Sequence, residues 1–170
     1  FIDVDEVHAD DAIVYAAPMS HGAGIYNFAF VARAARHIVP ASGGFDAAEV
    51  FALAARHRGI GMFAAPTIVR RMVEHAAAHA PSLRGLRTVV YGGGPMYVAD
   101  LLRALDVMGP RFAQIYGQGE TPMTITAMSK AEHADRDHPS WRDRMQSVGL
   151  ARTDVDVRVV SATHRDLRQM

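Results

Sequence analysis

Apolar residues fall along the chain in two alternating rhythms: short continuous runs, and longer stretches with apolar positions three and four apart. The runs at residues 12–17, 60–65, 88–91 and 112–116 predict buried strands, the first stopped by Pro18. The spaced stretches predict helices. One covers 22–37, with Ile25, Phe28, Ala29 and Ala32 on its inner face. A second covers 46–57, opened by the Asp-x-x-Glu signal of Asp46 and Glu49 and burying Val50, Leu53, Ala54 and His57. A third starts at Pro66, whose missing N–H would be unpaired there anyway, and turns Val69, Met72, Val73 and Ala76 inward. In the fourth, Val98, Leu101, Leu102 and Leu105 stand at i, i+3, i+4 and i+7, and Gly109-Pro110 stops it. His37-Ile38-Val39 is a short apolar stretch ended by Pro40.

After residue 116 the pattern changes. Residues 124–128 read as extended, and 129–144 as a polar stretch with His133, Asp135, Asp137 and His138 in a solvated loop. Val155, Val157 and Val159 alternate with polar residues, as in a half-exposed strand.

Strands alternating with helices imply an α/β fold, a mostly parallel sheet flanked by helices and joined by right-handed crossovers. Parallel strands deliver their C-terminal ends to one edge, where open α/β sheets bind ligands. That edge receives Pro18-Met-Ser-His21-Gly22, Ala65-Pro66-Thr67, Gly92-Gly93-Gly94-Pro95 and Gly117-Gln118-Gly119-Glu120-Thr121. Small residues, hydroxyls, one histidine and one carboxylate thus gather on one rim.

Composition narrows the function classes. The chain carries 18 Lys+Arg and 18 Asp+Glu, so it lacks the basic footprint of a nucleic-acid binder. Without cysteine it has neither a disulfide nor a thiol nucleophile, which suits a reducing cytoplasm. No apolar run reaches the roughly 20 residues of a transmembrane helix, and the acidic start lacks a signal-peptide layout. Heavy use of Ala and Arg points to a GC-rich bacterial genome.

On the rim, three glycines let backbone approach a flat or anionic ligand ahead of a helix. Tyr116 closes a strand beside Gly117, where its ring can lie against a heterocycle, and Glu120 is a carboxylate suited to magnesium next to phosphate. Taken together, these segments resemble the adenylate-forming (AMP-binding) superfamily, in its acyl-CoA synthetase branch. Tyr116-Gly-Gln-Gly-Glu120 is similar to its Tyr-Gly-x-Thr-Glu motif, and Pro18-Met-Ser-His-Gly22 to its Pro-Leu-x-His-x-x-Gly segment. Tyr91-Gly-Gly-Gly-Pro95 resembles its Gly-Gly-Ala-Pro turn, Ala65-Pro66-Thr67 its Val-Pro-Thr step, and Ser147-Val148-Gly149 the start of Ser-Val-Gly-x-Pro. All five occur in family order over nearly the whole chain.

The resemblance implies a two-step reaction: a carboxylic acid attacks ATP to give an acyl-adenylate and pyrophosphate, then coenzyme A displaces AMP. It implies that Tyr116 stacks on adenine and that Gly92, Gly93, Gly94 and Pro95 line the adenine and acyl walls. Gly117, Gln118, Gly119 and Thr121 would complete the nucleotide loop. Glu120 would hold Mg²⁺ on the phosphates, and His21 would sit where acid and thiol meet. Two positions depart from the pattern. Gly119 replaces the family threonine, whose hydroxyl contact Thr121 could supply only from two residues away. Ala151 replaces the proline of Ser-Val-Gly-x-Pro.

The family's phosphate loop, ribose-binding Asp and small C-terminal domain are not found within residues 1–170. The expectation is therefore a single partial domain, internal to a longer protein, inactive by itself and prone to dimerise through exposed sheet edges. Rival readings are weaker. Gly22-Ala-Gly24 follows a strand, but Asn27 stands where a dinucleotide fingerprint needs its third glycine. Ser20-His21 lacks the Gly-x-Ser-x-Gly elbow of a hydrolase. His75 and His79 at i, i+4 have no third metal ligand in the pattern. A non-catalytic nucleotide-binding or structural piece is the remaining alternative.

Overall fold

The structure is a computed structural model that describes residues 1–153 and 155–158. Among the described residues, seven strands form one sheet: β1 (Ala12–Val14), β2 (Arg36–Ile38), β3 (Ile60–Ala64), β4 (Leu86–Tyr91), β5 (Phe112–Tyr116), β6 (Thr126–Met128) and β7 (Leu150–Ala151). Their spatial order is β2-β1-β3-β4-β5-β6-β7. The first five are parallel, while β6 pairs antiparallel with both β5 and β7. β1 has β2 on one side and β3 on the other, so the winding reverses between β1 and β3. This is the doubly wound order in which a crevice opens at the carboxyl ends of the strands flanking the reversal.

Helices cover both faces of the sheet, which explains why the strands read as unbroken apolar runs and not as alternation. On one face α4 (Ala47–Arg56), α5 (Pro66–His79) and α6 (Val98–Met108) bury Val50, Met72 and Leu101 against Met62, Val89 and Tyr91. Each such side chain contributes roughly 1.5–3 kcal/mol by leaving water. On the other face α2 (Gly22–Ile25) and α3 (Asn27–Ala32) set Ala23, Tyr26, Ala29 and Phe30 against Ile13, Phe63, Val90 and Ile115. The two-residue period of a strand is visible in β4, where Val89 and Tyr91 face one layer and Val90 the other. A short helix, α1 (Ile2–Asp5), precedes β1.

Three sequence expectations are corrected here. The long helix over 22–37 is instead α2, α3 and β2, with Ala34 in the left-handed region (φ 53°). Asn27 Nδ2 donates to the Gly24 carbonyl at 2.7 Å, a local bond that competes with helix continuation. The buried stripe follows: Phe28 is 71% exposed, and Tyr26 and Phe30 point inward. The polar stretch 129–144 is not a solvated loop. It folds as α7 (Lys130–Ala134) and α8 (Trp141–Arg144), with His133 and Trp141 buried. Ser129 and Glu132 close a reciprocal capping box that starts α7, a signal the dense charge conceals. Finally, residues 155–158 belong to no strand, and Asp154 and Val159 of that expected strand lie outside the described residues.

Candidate functional site: a cleft at the sheet reversal

A cleft of about 730 Å³ opens at the carboxyl edge of β1, β3, β4 and β5, and all four predicted turns reach it. From the β1 turn come Ser20 and His21. His21 is exposed, and its extended backbone (φ −122°, ψ −165°) starts α2. From the β3 turn come Ala65 and Ile68, and from the β4 turn Gly92 and Gly93. The β5 turn contributes Gly117, Gln118 and Gly119. Phe63, Ile115 and Met123 form apolar walls beneath them.

Local chemistry explains these shapes. Gly93 takes φ +76°, which glycine adopts without steric cost, and turns the chain out of β4. A β-carbon on Gly92 would stand 2.5 Å from Ile115 Cδ1 and 2.7 Å from the Ile115 carbonyl oxygen, so β4 and β5 can close here only over glycine. Gly117 is likewise pressed against the Met123 backbone. Gln118 and Thr121 exchange two backbone hydrogen bonds of 3.2 Å, closing a tight turn that holds Gly119 and Glu120 at its tip. Gln118 Nε2 also donates to the Tyr116 hydroxyl at 2.8 Å. Met123 occupies the left-handed region (φ 60°), rare for a long side chain, and such strain concentrates at ligand clamps.

The predicted site residues divide into two groups. His21, Gly92, Gly93, Gly117, Gln118 and Gly119 line the cleft. Gly94, Pro95, Tyr116, Glu120 and Thr121 stand on its rim and are not wall residues, contrary to the expectation that all of Gly92–Pro95 would line it. Tyr116 is 37% exposed at the end of β5, and Glu120 is exposed on its turn. Sequence reading missed Phe63, Ile115 and Met123. The first two look like ordinary strand residues, and nothing in the sequence marks the backbone reversal at Met123.

Among the described residues no Lys, Arg, Asp or Glu lines the cleft; its polar groups are Ser20, His21, Gln118 and the backbone of the turns. Nor do three or more His, Cys, Asp or Glu side chains converge anywhere among them in a way that could hold a metal ion. His75 and His79 stack with ring centroids 4.2 Å apart, and His79 Nδ1 bonds the His75 carbonyl at 3.0 Å, the ordinary behaviour of a helix end. No helix among the described residues is long and apolar enough to cross a membrane.

An open, doubly wound sheet with an apolar, glycine-edged cleft at its reversal defines a class of small-molecule-binding α/β proteins. Within that class, the sequence profile of AMP-binding enzymes matches residues 1–169, and the chain belongs to that family. It is 31% identical over 128 residues to the medium/long-chain-fatty-acid–CoA ligase FadD8 of Mycobacterium tuberculosis, covering 75% of this chain and 22% of that one. It is 32% identical over 102 residues to the fatty acid–acyl-carrier-protein ligase ScoC of Streptomyces coeruleorubidus, covering 60% and 19%. The fold matches the amide bond synthetase McbA of Marinactinospora thermotolerans with a TM-score of 0.73 over 88% of this chain and 28% of that one, at 24% identity. A malonyl-CoA ligase solved with methylmalonyl-CoA and AMP matches at a TM-score of 0.63 and 25% identity, over 76% and 28%. The chain thus spans about a fifth of the length of the two ligases named first.

Proposed function

We propose that this chain forms the adenine- and acyl-facing cleft of an AMP-forming acid–thiol ligase that activates an apolar carboxylic acid. The observation that carries the proposal is the cleft itself: glycine-edged turns for a flat ring on one side, an apolar chamber bounded by Phe63, Ile115 and Met123 on the other. In the reaction a carboxylate oxygen bonds to the α-phosphorus of ATP as the bond to pyrophosphate breaks. The thiol sulfur of coenzyme A then bonds to the acyl carbon and AMP leaves. FadD8 and ScoC, fatty acid ligases by name, support an apolar acid.

The residues take these roles. Tyr116 and the Gly92–Gly93 backbone flank the adenine. Gln118, Gly119 and Thr121 present the nucleotide loop. His21, exposed on the cleft wall, meets the reacting acyl group and the incoming thiol. Magnesium would supply charge neutralisation on the phosphates, and it commonly takes one or two carboxylates plus phosphate oxygens and water. An exposed Glu120 with no competing carboxylate in the cleft fits that donor set. Catalysis here rests on positioning and electrostatic stabilisation of the phosphoryl charge. The described cleft supplies position but no cation, so we expect nucleotide binding, not turnover, from these 170 residues alone.

Isothermal titration with AMP, ATP, coenzyme A and NAD tests this reading. The expected result is weak binding of adenine mononucleotides that disappears in Tyr116→Ala. Equal binding of NAD and AMP would favour a dinucleotide domain, and no nucleotide binding would leave a structural piece.

A further inference from the structure

The motifs leave unused one buried polar cluster, built on the strand residues that lead into both glycine turns. His133 on α7 is fully buried. Its Nδ1 lies 2.6 Å from the Ser129 carbonyl oxygen. A carbonyl only accepts, so Nδ1 carries the hydrogen. Burial pushes the imidazole pKa below its ordinary value and keeps the ring neutral. Nε2 is therefore an acceptor, and the Tyr91 hydroxyl, 2.9 Å away, donates to it. Tyr91 has only one hydroxyl hydrogen. Gln114 Oε1 lies 3.2 Å from the same oxygen, and with the one hydroxyl hydrogen given to His133 two acceptors would face each other there, so we assign the amide turned over, its NH₂ donating to Tyr91. Trp141 Nε1 donates to the His133 carbonyl at 2.9 Å and fixes α7 from the other side.

The location gives this cluster its consequence. Tyr91 and Gln114 face each other across the β4–β5 ladder. Tyr91 immediately precedes Gly92-Gly93-Gly94, and Gln114 stands two residues before Tyr116. A rigid tie between these two side chains fixes the separation of the strand ends that carry both turns.

We propose that His133 is a positioning residue that, through Tyr91 and Gln114, sets the aperture between the Gly92–Gly94 turn and the Gly117–Thr121 turn. It touches no ligand. Its importance for nucleotide affinity rests on the reading of the cleft given above, whereas the positioning itself does not.

Amide hydrogen exchange of the 170-residue protein, compared with Tyr91→Phe, His133→Gln and His133→Leu, tests the proposal without requiring a ligand. Tyr91→Phe removes only the hydroxyl and keeps the ring packed against Phe112, so it is the decisive variant where His133→Leu fails to fold. The expected result is exchange about tenfold faster at residues 92–94 and 117–121 in Tyr91→Phe and His133→Leu, with β1 and β3 unchanged. His133→Gln, whose amide can still reach Tyr91, should stay within about threefold of the wild type at both turns. A purely structural role would raise exchange across the whole sheet in all three variants alike, and that outcome overturns the proposal. So does unchanged exchange at both turns in folded Tyr91→Phe. AMP titration of the same proteins separates the two ideas. If the exchange pattern appears but the wild type binds no AMP, the positioning role stands and the nucleotide reading falls.

Discussion

Gly92 and Ile115 meet where β4 and β5 end, with room for a hydrogen on Gly92 and for nothing larger. The conflicting atoms differ in kind. Ile115 Cδ1 can rotate away, but the Ile115 carbonyl oxygen belongs to the sheet and cannot.

A graded alanine series follows along the turn. Gly92→Ala should lower unfolding stability by about 1–3 kcal/mol through overpacking, and weaken AMP binding by spreading the strand ends. Gly93→Ala meets only Phe63 at 3.8 Å but must adopt φ +76°, a cost of about 1–2 kcal/mol. Gly94→Ala has Pro66 at 3.7 Å, ordinary contact, and should be within about 0.5 kcal/mol of the wild type. Urea unfolding of the three variants checks the ranking. A Gly94→Ala loss as large as that of Gly92→Ala would contradict it.

Two buried groups should pull the pH dependence of stability in opposite directions. Burial raises the Asp5 carboxyl to about 7, a shift opposed by the N-terminal amine, Arg152 and Lys130. The folded state thus holds this proton where the unfolded chain, at the ordinary value of 3.8, releases it. The stabilising effect is fully present below the unfolded value and is lost as pH rises toward 7. By linkage the whole span is on the order of 4 kcal/mol. His133 behaves oppositely, because its lowered pKa means that stability falls as the medium is acidified below its ordinary 6.5. Asp5→Asn should therefore raise stability at pH 8 relative to the wild type and uncover the rising slope due to His133. Urea unfolding from pH 4.5 to 8 measures both; a wild-type–variant difference that does not change with pH would remove Asp5 from the account.

How much of this was legible in the sequence depends on where the determining forces lie. The helices α5 and α6, and strands β1, β3, β4 and β5, announce themselves because burial on fixed faces imposes a period on the residues. The rim followed from them, since parallel strands share one carboxyl edge, and so did His21, Gly92, Gly93 and the 117–119 turn. The apolar stripe over 22–37 predicts one long helix because it does not reveal that Asn27 bonds back to Gly24. The polar stretch around His133 reads as a solvated loop because the side chain that buries it, Tyr91, lies 42 residues earlier in the chain. The strained backbone of Met123 is a tertiary property and leaves no mark on composition.

Glu120 stands at the tip of the turn closed by Gln118 and Thr121, exposed and outside the core. Glu120→Gln should change stability by no more than about 0.5 kcal/mol. If the carboxylate holds magnesium on the phosphates, the substitution abolishes the gain in ATP affinity that magnesium gives and leaves AMP affinity intact. Titrations with ATP with and without magnesium, and with AMP, distinguish this. An equal magnesium effect in wild type and variant would take Glu120 out of the metal site.

Gly119 offers a test by gain and not by loss. The resembled motif carries threonine where this chain has glycine, so the hydroxyl that the resemblance directs at the α-phosphate is lacking at Gly119. Steric need does not explain the glycine: a β-carbon there meets nothing within 4 Å, and its φ is not in the left-handed region. Gly119→Thr should therefore fold without penalty, and the stiffer unfolded chain stabilises it by up to about 1 kcal/mol. If the turn faces the α-phosphate, one added hydrogen bond to a charged oxygen contributes about 1.5–3 kcal/mol, or roughly tenfold or more in affinity for AMP. Adenosine, which lacks the phosphate, should bind both proteins equally. A Gly119→Thr protein that gains affinity for adenosine and AMP alike would mean that the turn acts by stiffening alone. No gain for either would place the phosphate elsewhere on the rim.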